Sequence, residues 1–399
     1  MVKNREDRGD CVRITKEIHM KRSLFATMLL MIAWNGTACT EPQSQETTEK
    51  EHSAMPKQAN ILPNMRVMMD GMKGHNYALP DCLALIWERL DENPKLTFWD
   101  FAAITGDTVS PVYNRKPSTR CDYCVSGYLA GKDYVARVFD AIGYEHEYVA
   151  AEQVSADKET YARKAMECID KGLPVLVKTG PVDDPAWNYP IVTTYCLIIG
   201  YEDGGKTLLF VRDGDKPDKL DLSKAAMVDW VFVGKKLRDV TKEELYLHTI
   251  RNMAHWLTLP ERDGMVFGAA ALRAWADDIE NGRHEDETVD LWNNYSVYVV
   301  NMATSGGLPT FLLWLLAEMD EQYAEYRDVA QTIQNLIPCE PPRGGKTVDW
   351  IRLEELGGGI EKPVTRDVLR DKDKRAKIAA VLRDRAERLD KVVEILKGL

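Results

Sequence analysis

Three short apolar segments in the middle of the chain constrain its fold more than any other feature. Pro, Gly and Asp separate the segments, which is typical of β-strands joined by turns, and YEDGGKT between the last two predicts a tight hairpin. The segments are PVLVKTG, IVTTYCLIIGYE and KTLLFVRDG. Segments with helical spacing of apolar residues precede them: PDCLALIWERLDE, TFWDFAAITG, KDYVARVFDAIGY and DKETYARKAMECIDKG. Helices followed by an antiparallel sheet predict an α+β domain.

The pattern changes near residue 241, where apolar residues begin to repeat with a period near 3.6. The segments TKEELYLHTIRNMAHWL and GMVFGAAALRAWADDIENG show this period, as does the charged final segment DKRAKIAAVLRDRAERLDKVVEILKGL. These patterns predict an all-helical C-terminal region. We therefore assign 61–240 to the α+β domain, 241–337 to a helical domain, and 338–399 to a linker with a C-terminal helix.

The N-terminal part of the chain has the pattern of a secreted protein. Two cations after Met20 precede a short apolar run, and small residues lead to Cys39, which predicts a signal region over 1–38, with Met20 as an alternative start. The junction before Cys39 resembles a bacterial lipobox, and this resemblance implies a lipid anchor at Cys39. Simple cleavage after Ala38 is the alternative. Residues 39–60 are polar and predict a disordered tether.

The charge of the chain limits its partners. The formal net charge of −11 argues against nucleic acid as the main partner, because phosphate binding needs a basic surface. An acidic protein is also not held at a membrane by electrostatics. We therefore expect an extracytoplasmic protein, in the periplasm or at the cell surface, that meets a membrane only through a lipid at Cys39.

The eight cysteines do not predict a metal site. Only Cys121 and Cys124 are close in sequence, and a structural zinc needs four ligands. RDGDKPDKLD lacks the spacing of a calcium-binding loop. We expect no cofactor, and the CDYC segment is interpreted as a local disulfide or two packed thiols.

Cys82 has the sequence context of a reactive thiol. PDCLALIWERLDE places it in the first turn of a predicted helix, where the helix dipole favours the thiolate. The side-chain amide of Asn76 is a candidate donor to an oxyanion on a substrate carbonyl. A nucleophilic thiol also needs a base and a group that orients the base.

The segment NYALPDC resembles the signature of bacterial peptidases that process double-glycine leader peptides, in which Gln, four residues and Asp-Cys open the central helix. Here Asn76 stands in the Gln position. CDYCVSGYLAGKDYVARVFDAIGYE and YCLIIGYEDGGKTLLFVRD are similar to segments of the N-terminal domain of the butirosin-biosynthesis acyltransferase and its relatives. Over about 61–330, the resemblance implies a papain-like fold, with a central helix against an antiparallel sheet and Cys82 as the nucleophile.

The base is where this chain departs from that superfamily. Papain-like enzymes carry a histidine near the start of the strand that runs into Gly-Tyr, and this chain has Thr194, Tyr195 or Cys196 there. Asp213 stands where the resemblance places the orienting aspartate. His75, next to Asn76, is the candidate replacement base.

The remaining histidines are expected to be structural. His248 and His255 lie seven residues apart on one predicted helix, too far apart to share a metal, and are interpreted as packing residues. His146 is expected on an exposed strand and His284 in a loop.

Two functional hypotheses follow from these residues. The first is a Cys-dependent hydrolase or acyltransferase in which Cys82 attacks an amide or thioester of a peptide or small acyl substrate. The second is a papain-like binding protein that lacks the histidine and holds a peptide or small molecule in its cleft.

Overall fold

The computed structural model describes ten ranges of the chain: 57–67, 77–115, 124–129, 131–179, 195–211, 216–262, 264–285, 323–338, 347–358 and 365–399. The segment Pro56–Leu399 forms one compact unit. The predicted signal region and the candidate anchor Cys39 lie outside the described residues. The domain boundaries predicted at 240 and 337 stay predictions.

The predicted α+β class is confirmed for the described part of the chain. Before residue 237 this part contains six helices: α1 (Ala78–Leu90), α2 (Phe98–Ile104), α3 (Val125–Leu129), α4 (Lys132–Ala141), α5 (Ala151–Ala156) and α6 (Lys158–Asp170). Its strands are β1 (Asn60–Ile61), β2 (Val112–Asn114), β3 (Tyr144–Val149), β4 (Val175–Lys178), β5 (Tyr195–Glu202), β6 (Thr207–Val211), β7 (Asp218–Asp221) and β8 (Asp229–Lys236).

Seven of these strands form one antiparallel sheet in the order β3-β8-β4-β5-β6-β7, with β1 added beside one end of β5. The three predicted strands are confirmed as β4, β5 and β6. The predicted hairpin is also confirmed, since β5 and β6 pair across a short turn at Asp203–Gly205.

Helix α1 packs against strand β5 through its apolar stripe. Leu83, Ile86 and Trp87 of this stripe are buried, as the helical spacing predicts. The Trp87 indole packs edge-on against Phe101 and Tyr144, which tie α1 to helix α2 and strand β3. Helix α1 is therefore held between other elements rather than lying on the surface.

The C-terminal part is mostly helical, with one correction. Its described elements are α7 (Lys242–Leu257), β9 (Met265–Phe267), α8 (Gly268–Glu280), α9 (Ala324–Leu336), α10 (Val348–Glu355), α11 (Arg366–Arg370) and α12 (Lys372–Leu396). The prediction that this region is all-helical is wrong at β9, which pairs antiparallel with β2. Gly264 precedes β9 with a φ of 86°, a left-handed conformation that glycine adopts without a Cβ clash. None of the described helices is both long and apolar enough to cross a membrane.

Gly268 joins β9 to α8 at a point that leaves no room for a side chain. Its φ is 60°, and a Cβ at this position would lie 1.9 Å from the Leu257 carbonyl oxygen at the end of α7. Its N–H donates to the Pro111 carbonyl oxygen over 2.8 Å, so the backbone has no freedom to move away.

Gly268→Ala should lower the free energy of unfolding by roughly 2–5 kcal/mol, the sum of a left-handed backbone cost and overpacking. Urea unfolding followed by circular dichroism measures the change. Gly172→Ala is the matched control, because Gly172 has a φ of 88° but no described atom lies within 4 Å of the place that a Cβ would take. Equal losses of stability in the two variants would show that the close approach to the Leu257 carbonyl oxygen adds nothing to the cost of a side chain at position 268.

Candidate functional site

Cys82 lies farther into its helix than the sequence predicts. Helix α1 begins at Ala78 with Tyr77 as its N-cap, so Cys82 is the fifth helical residue and begins the second turn. Pro80 fits the start of the helix because the first turn needs no N–H donor there. The prediction of a first-turn cysteine is therefore wrong by one residue, and the favourable field of the helix end is weaker beyond the first turn.

The Cys82 thiol is fully enclosed. Its relative exposure is 0%, and it belongs to the main hydrophobic core together with Leu79 and Leu83 of the same helix. Reactive cysteines are partly exposed in polar surroundings, whereas cysteines packed among apolar side chains act as small hydrophobic residues. Cys82 has no exposure and so differs from the first kind.

The other three predicted site residues, His75, Asn76 and Asp213, lie outside the described residues, as does Cys121. Their roles therefore stay predictions. Cys124, the second cysteine of CDYC, is described and buried.

Tyr195 occupies the first position of β5 and is one of the three residues, with Thr194 and Cys196, at which the resemblance places a histidine. Its side chain is 0% exposed, and no described residue lies within hydrogen-bond range of its Oη. Burial raises the pKa of the Tyr195 phenol well above its usual value, and the nearby Tyr148 and Asp107 raise it further. A phenol that keeps its proton donates a hydrogen bond and does not act as a base at neutral pH.

Asp107, in the turn after α2, forms the centre of a buried polar cluster. One carboxylate oxygen accepts from the Ser126 backbone N–H over 2.7 Å, and the other accepts from the Thr105 hydroxyl over 2.8 Å. The Cys124 thiol lies 3.4 Å from the Ser126 hydroxyl. Burial raises the pKa of Asp107 to about 6, while the hydrogen bonds from Ser126, Thr105 and Cys124 oppose the rise.

Three buried tyrosines surround this carboxylate. Tyr77 caps α1, Tyr134 of α4 donates to the Thr105 carbonyl oxygen over 2.7 Å, and Tyr195 begins β5. Burial raises the pKa of each phenol, and Asp107 raises it further in all three cases. We call Tyr77, Asp107, Cys124, Tyr134 and Tyr195 the Asp107 cluster. It connects the start of the Cys82 helix to the start of β5.

The polar groups continue along one end of the sheet. Tyr195 is paired with Lys178 of β4, and Lys178 is paired with Asp229 of β8. The Tyr148 hydroxyl donates to Asp229 over 2.5 Å, and the Ala151 N–H donates to its other oxygen over 2.8 Å. Directly paired residues project from the same face of a sheet, so these side chains form a row beside the Asp107 cluster.

The described histidines lie in other surroundings. His146 is on β3 as predicted, but it is half-buried and stacked on Phe139, not exposed. Burial lowers the pKa of His146, of His248 and of His255. His284 is in a turn after α8, which agrees with the expected loop position, and it is buried against the Tyr113 hydroxyl 3.5 Å away.

Two surface clefts lie away from these polar residues. A cleft of 730 Å³ lies between α4, β3, α6 and β8, and one of 540 Å³ lies between α6 and the turns that follow β5 and β7. Neither is lined by Cys82 or the Asp107 cluster. Within the ranges that the structure describes, no group of three His, Cys, Asp or Glu side chains could hold a metal ion.

Sequence reasoning missed the Asp107 cluster and Lys178. Asp107 stands in TGDTVS, which has the composition of an exposed turn. Lys178 ends an apolar strand, where a lysine is usually solvated. The one signal in the sequence was the absence of a histidine at positions 194–196, where the resemblance places one.

Comparison with protein-family models found no model that matches this chain, and comparison with curated proteins found no match either. Function must therefore be inferred from the residues and their geometry.

Proposed function

We propose that this protein is a papain-like binding protein that has no catalytic histidine and holds a peptide or small molecule in the cleft that the papain-like resemblance implies. The observation that carries the proposal is Tyr195. A buried, protonated phenol stands at one of the three positions where a papain-like enzyme would carry its base.

The state of the thiol supports the same proposal. Nucleophilic attack needs a thiolate that a substrate carbonyl can approach within about 3–3.5 Å. Cys82 is enclosed in apolar core and has no solvent exposure. A fold that retains the helix and sheet but encloses the thiol is suited to holding a ligand without transforming it.

The signal region and Cys39 indicate where such a protein would work. We propose that the folded part is exported and held near a membrane by a lipid on Cys39, with 39–60 as the tether. In that position it would meet peptides or small molecules outside the cytoplasm.

A Cys-dependent hydrolase or acyltransferase is the second candidate. It is favoured by the packing of α1 against β5, which puts Cys82 on the helix that faces the base-bearing strand in papain-like enzymes. His75, Asn76 and Asp213 would then supply the base, the oxyanion donor and the orienting group.

Incubation with a defined set of N-acetylated peptides and acyl thioesters separates the two candidates. The wild type should retain some compounds in native mass spectrometry and release them chemically unchanged. Cys82→Ser should bind the same compounds with affinity within about twofold, because removing one buried sulfur leaves the ligand contacts in place.

Two results would overturn the proposal. Product formation, or a covalent acyl adduct on Cys82, that appears in the wild type and is absent from Cys82→Ser would establish the enzyme instead. Retention of no compound by either protein would remove the binding role.

A further inference from the structure

Lys178 is a half-buried cation at the end of a strand. It is the last residue of β4, and no described residue forms a hydrogen bond or an ion pair with its Nζ. Burial lowers the pKa of Lys178, and Arg262 lowers it further, while Asp229 opposes both effects. An ammonium group that has lost water and gained no partner is costly unless something else binds it.

Tyr195 adds a second donor at the same place. Its hydroxyl is buried without a hydrogen-bond partner among the described residues, although most buried polar groups have one. Tyr195 and Lys178 are directly paired in the antiparallel β4–β5 ladder. Their Cβ atoms are therefore about 5 Å apart on one face of the sheet.

Asp229 does not occupy these donors. It neighbours Lys178 on β8, but its two oxygens accept from the Tyr148 hydroxyl and from the Ala151 N–H. These bonds direct the carboxylate toward β3 and the start of α5. Asp229 thus stabilises the charged form of Lys178 at a distance, but it does not form an ion pair with the ammonium group.

We propose that Lys178 and Tyr195 form a subsite that binds a carboxylate group of the ligand. The inference rests on the proposed binding function and names the chemistry of what is bound. Both side chains donate hydrogen bonds, and a carboxylate is a two-oxygen acceptor that can take one bond from each.

Lys178 supplies the positive charge that a carboxylate would meet. Arg262 adds to the positive field at Lys178 and Asp229 opposes it. Asp107 and Asp229 both act on Tyr195 as negative charges. A carboxylate brings one negative charge to the Lys178 ammonium, and the two nearby aspartates would repel the two charges of a phosphate dianion more strongly. The same carboxylate could belong to the C-terminus of a peptide or to a small organic acid.

Matched pairs of probes test the subsite in the full chain by calorimetry. The first pair is N-acetyl-dipeptide acids and their C-terminal amides, and the second pair is acetate and acetamide. The wild type should prefer the acid of a pair by roughly tenfold or more, the range for a hydrogen bond to a charged group. A preference confined to the dipeptides identifies a peptide C-terminus, and one that extends to acetate identifies small acids.

Variants locate the preference. Lys178→Met should abolish the discrimination between acid and amide, and Tyr195→Phe should reduce this discrimination severalfold. Lys178→Arg keeps the positive charge and should retain most of the discrimination between acid and amide. Lys171→Met, at an exposed position just after α6, is the control and should behave as the wild type. Thermal unfolding of each variant verifies that it is folded.

The outcomes separate this inference from the proposed function. If Lys178→Met retains the wild-type preference for acids, the subsite is wrong and the binding function stands. If the wild type binds acids and amides equally, the carboxylate assignment is likewise overturned. If the wild type binds neither form of any probe, the proposed function and the inference fail together.

Discussion

Asp107→Ala should lower the free energy of unfolding by roughly 2–6 kcal/mol, because two buried donors lose their acceptor. The Ser126 N–H and the Thr105 hydroxyl both bond to this carboxylate inside the protein. Ser126 lies on α3 and Thr105 at the end of α2, so the substitution also removes a hydrogen-bonded link between these two helices. Chemical denaturation at neutral pH measures the change.

Asp107→Asn is the matched control for this loss. The asparagine oxygen can still accept from the Ser126 N–H, so the variant should lose less stability than Asp107→Ala. Equal stability of Asp107→Ala and the wild type would show that the hydrogen bonds to this carboxylate do not stabilise the fold.

The charge of Asp107 should also make stability depend on pH. Its folded pKa of about 6 is above the ordinary value of 3.8, so the folded state holds the proton more tightly than the unfolded chain. Its contribution is complete below the ordinary value and is lost as pH rises through about 6. The loss amounts to about 3 kcal/mol, from about two pKa units at 1.36 kcal/mol each.

Unfolding curves at about pH 4, 5, 6 and 7 for the wild type and Asp107→Asn measure the contribution of Asp107 protonation, as the difference in unfolding free energy between the two proteins. The advantage of the wild type over the variant should shrink with rising pH. Parallel curves across this window would mean that Asp107 titrates normally and is not desolvated.

Asp349→Ala should cost roughly 3–5 kcal/mol, since it leaves the buried Arg385 guanidinium without its carboxylate and removes one of the two carboxylates that bind Arg388. Asp349 of α10 is 1% exposed and binds Arg388 over 2.6 Å and Arg385 over 3.5 Å, both on α12. Arg385 is itself buried, and burial lowers its pKa to about 10 while Asp349 opposes the shift.

The exposed ion pair between Arg273 and Asp390, also on α12, provides the control. Asp390→Ala should cost at most about 1 kcal/mol, as is usual for ion pairs in water. Guanidinium-induced unfolding is unsuitable because its salt screens both pairs, so urea is the denaturant to use. Similar losses in the two variants would contradict a special role for the buried pair.

Local patterns were sufficient to predict the helix that carries Cys82 and the three central strands. The Leu83, Ile86 and Trp87 stripe has helical spacing, and the strands are bounded by turn residues, so each element could be assigned from its own segment. Strand β9 could not be assigned in this way. Its partner β2 lies about 150 residues earlier in the chain, and a three-residue apolar run does not distinguish strand from helix.

The candidate site shows a similar limit. The sequence could show that no histidine precedes the Gly-Tyr of β5, because that is a local fact. It could not show that Cys82 is enclosed, that Asp107 is buried, or that Lys178 has no carboxylate partner among the described residues. These properties arise where α1, α2, α3, β4 and β5 meet, and they depend on contacts between residues far apart in sequence.

The rate of Cys82 alkylation by iodoacetamide in the folded full chain, followed across pH by peptide mass spectrometry, tests the central claim most directly. Cys168 is half-buried on α6 and serves as the internal reference, with Cys82→Ser and urea-unfolded protein as controls. A binding protein with an enclosed thiol predicts that Cys168 reacts while Cys82 stays unmodified until the protein unfolds. Labelling of Cys82 faster than Cys168, with an apparent pKa well below the unperturbed value of about 8.5, would contradict the account and identify an activated nucleophile.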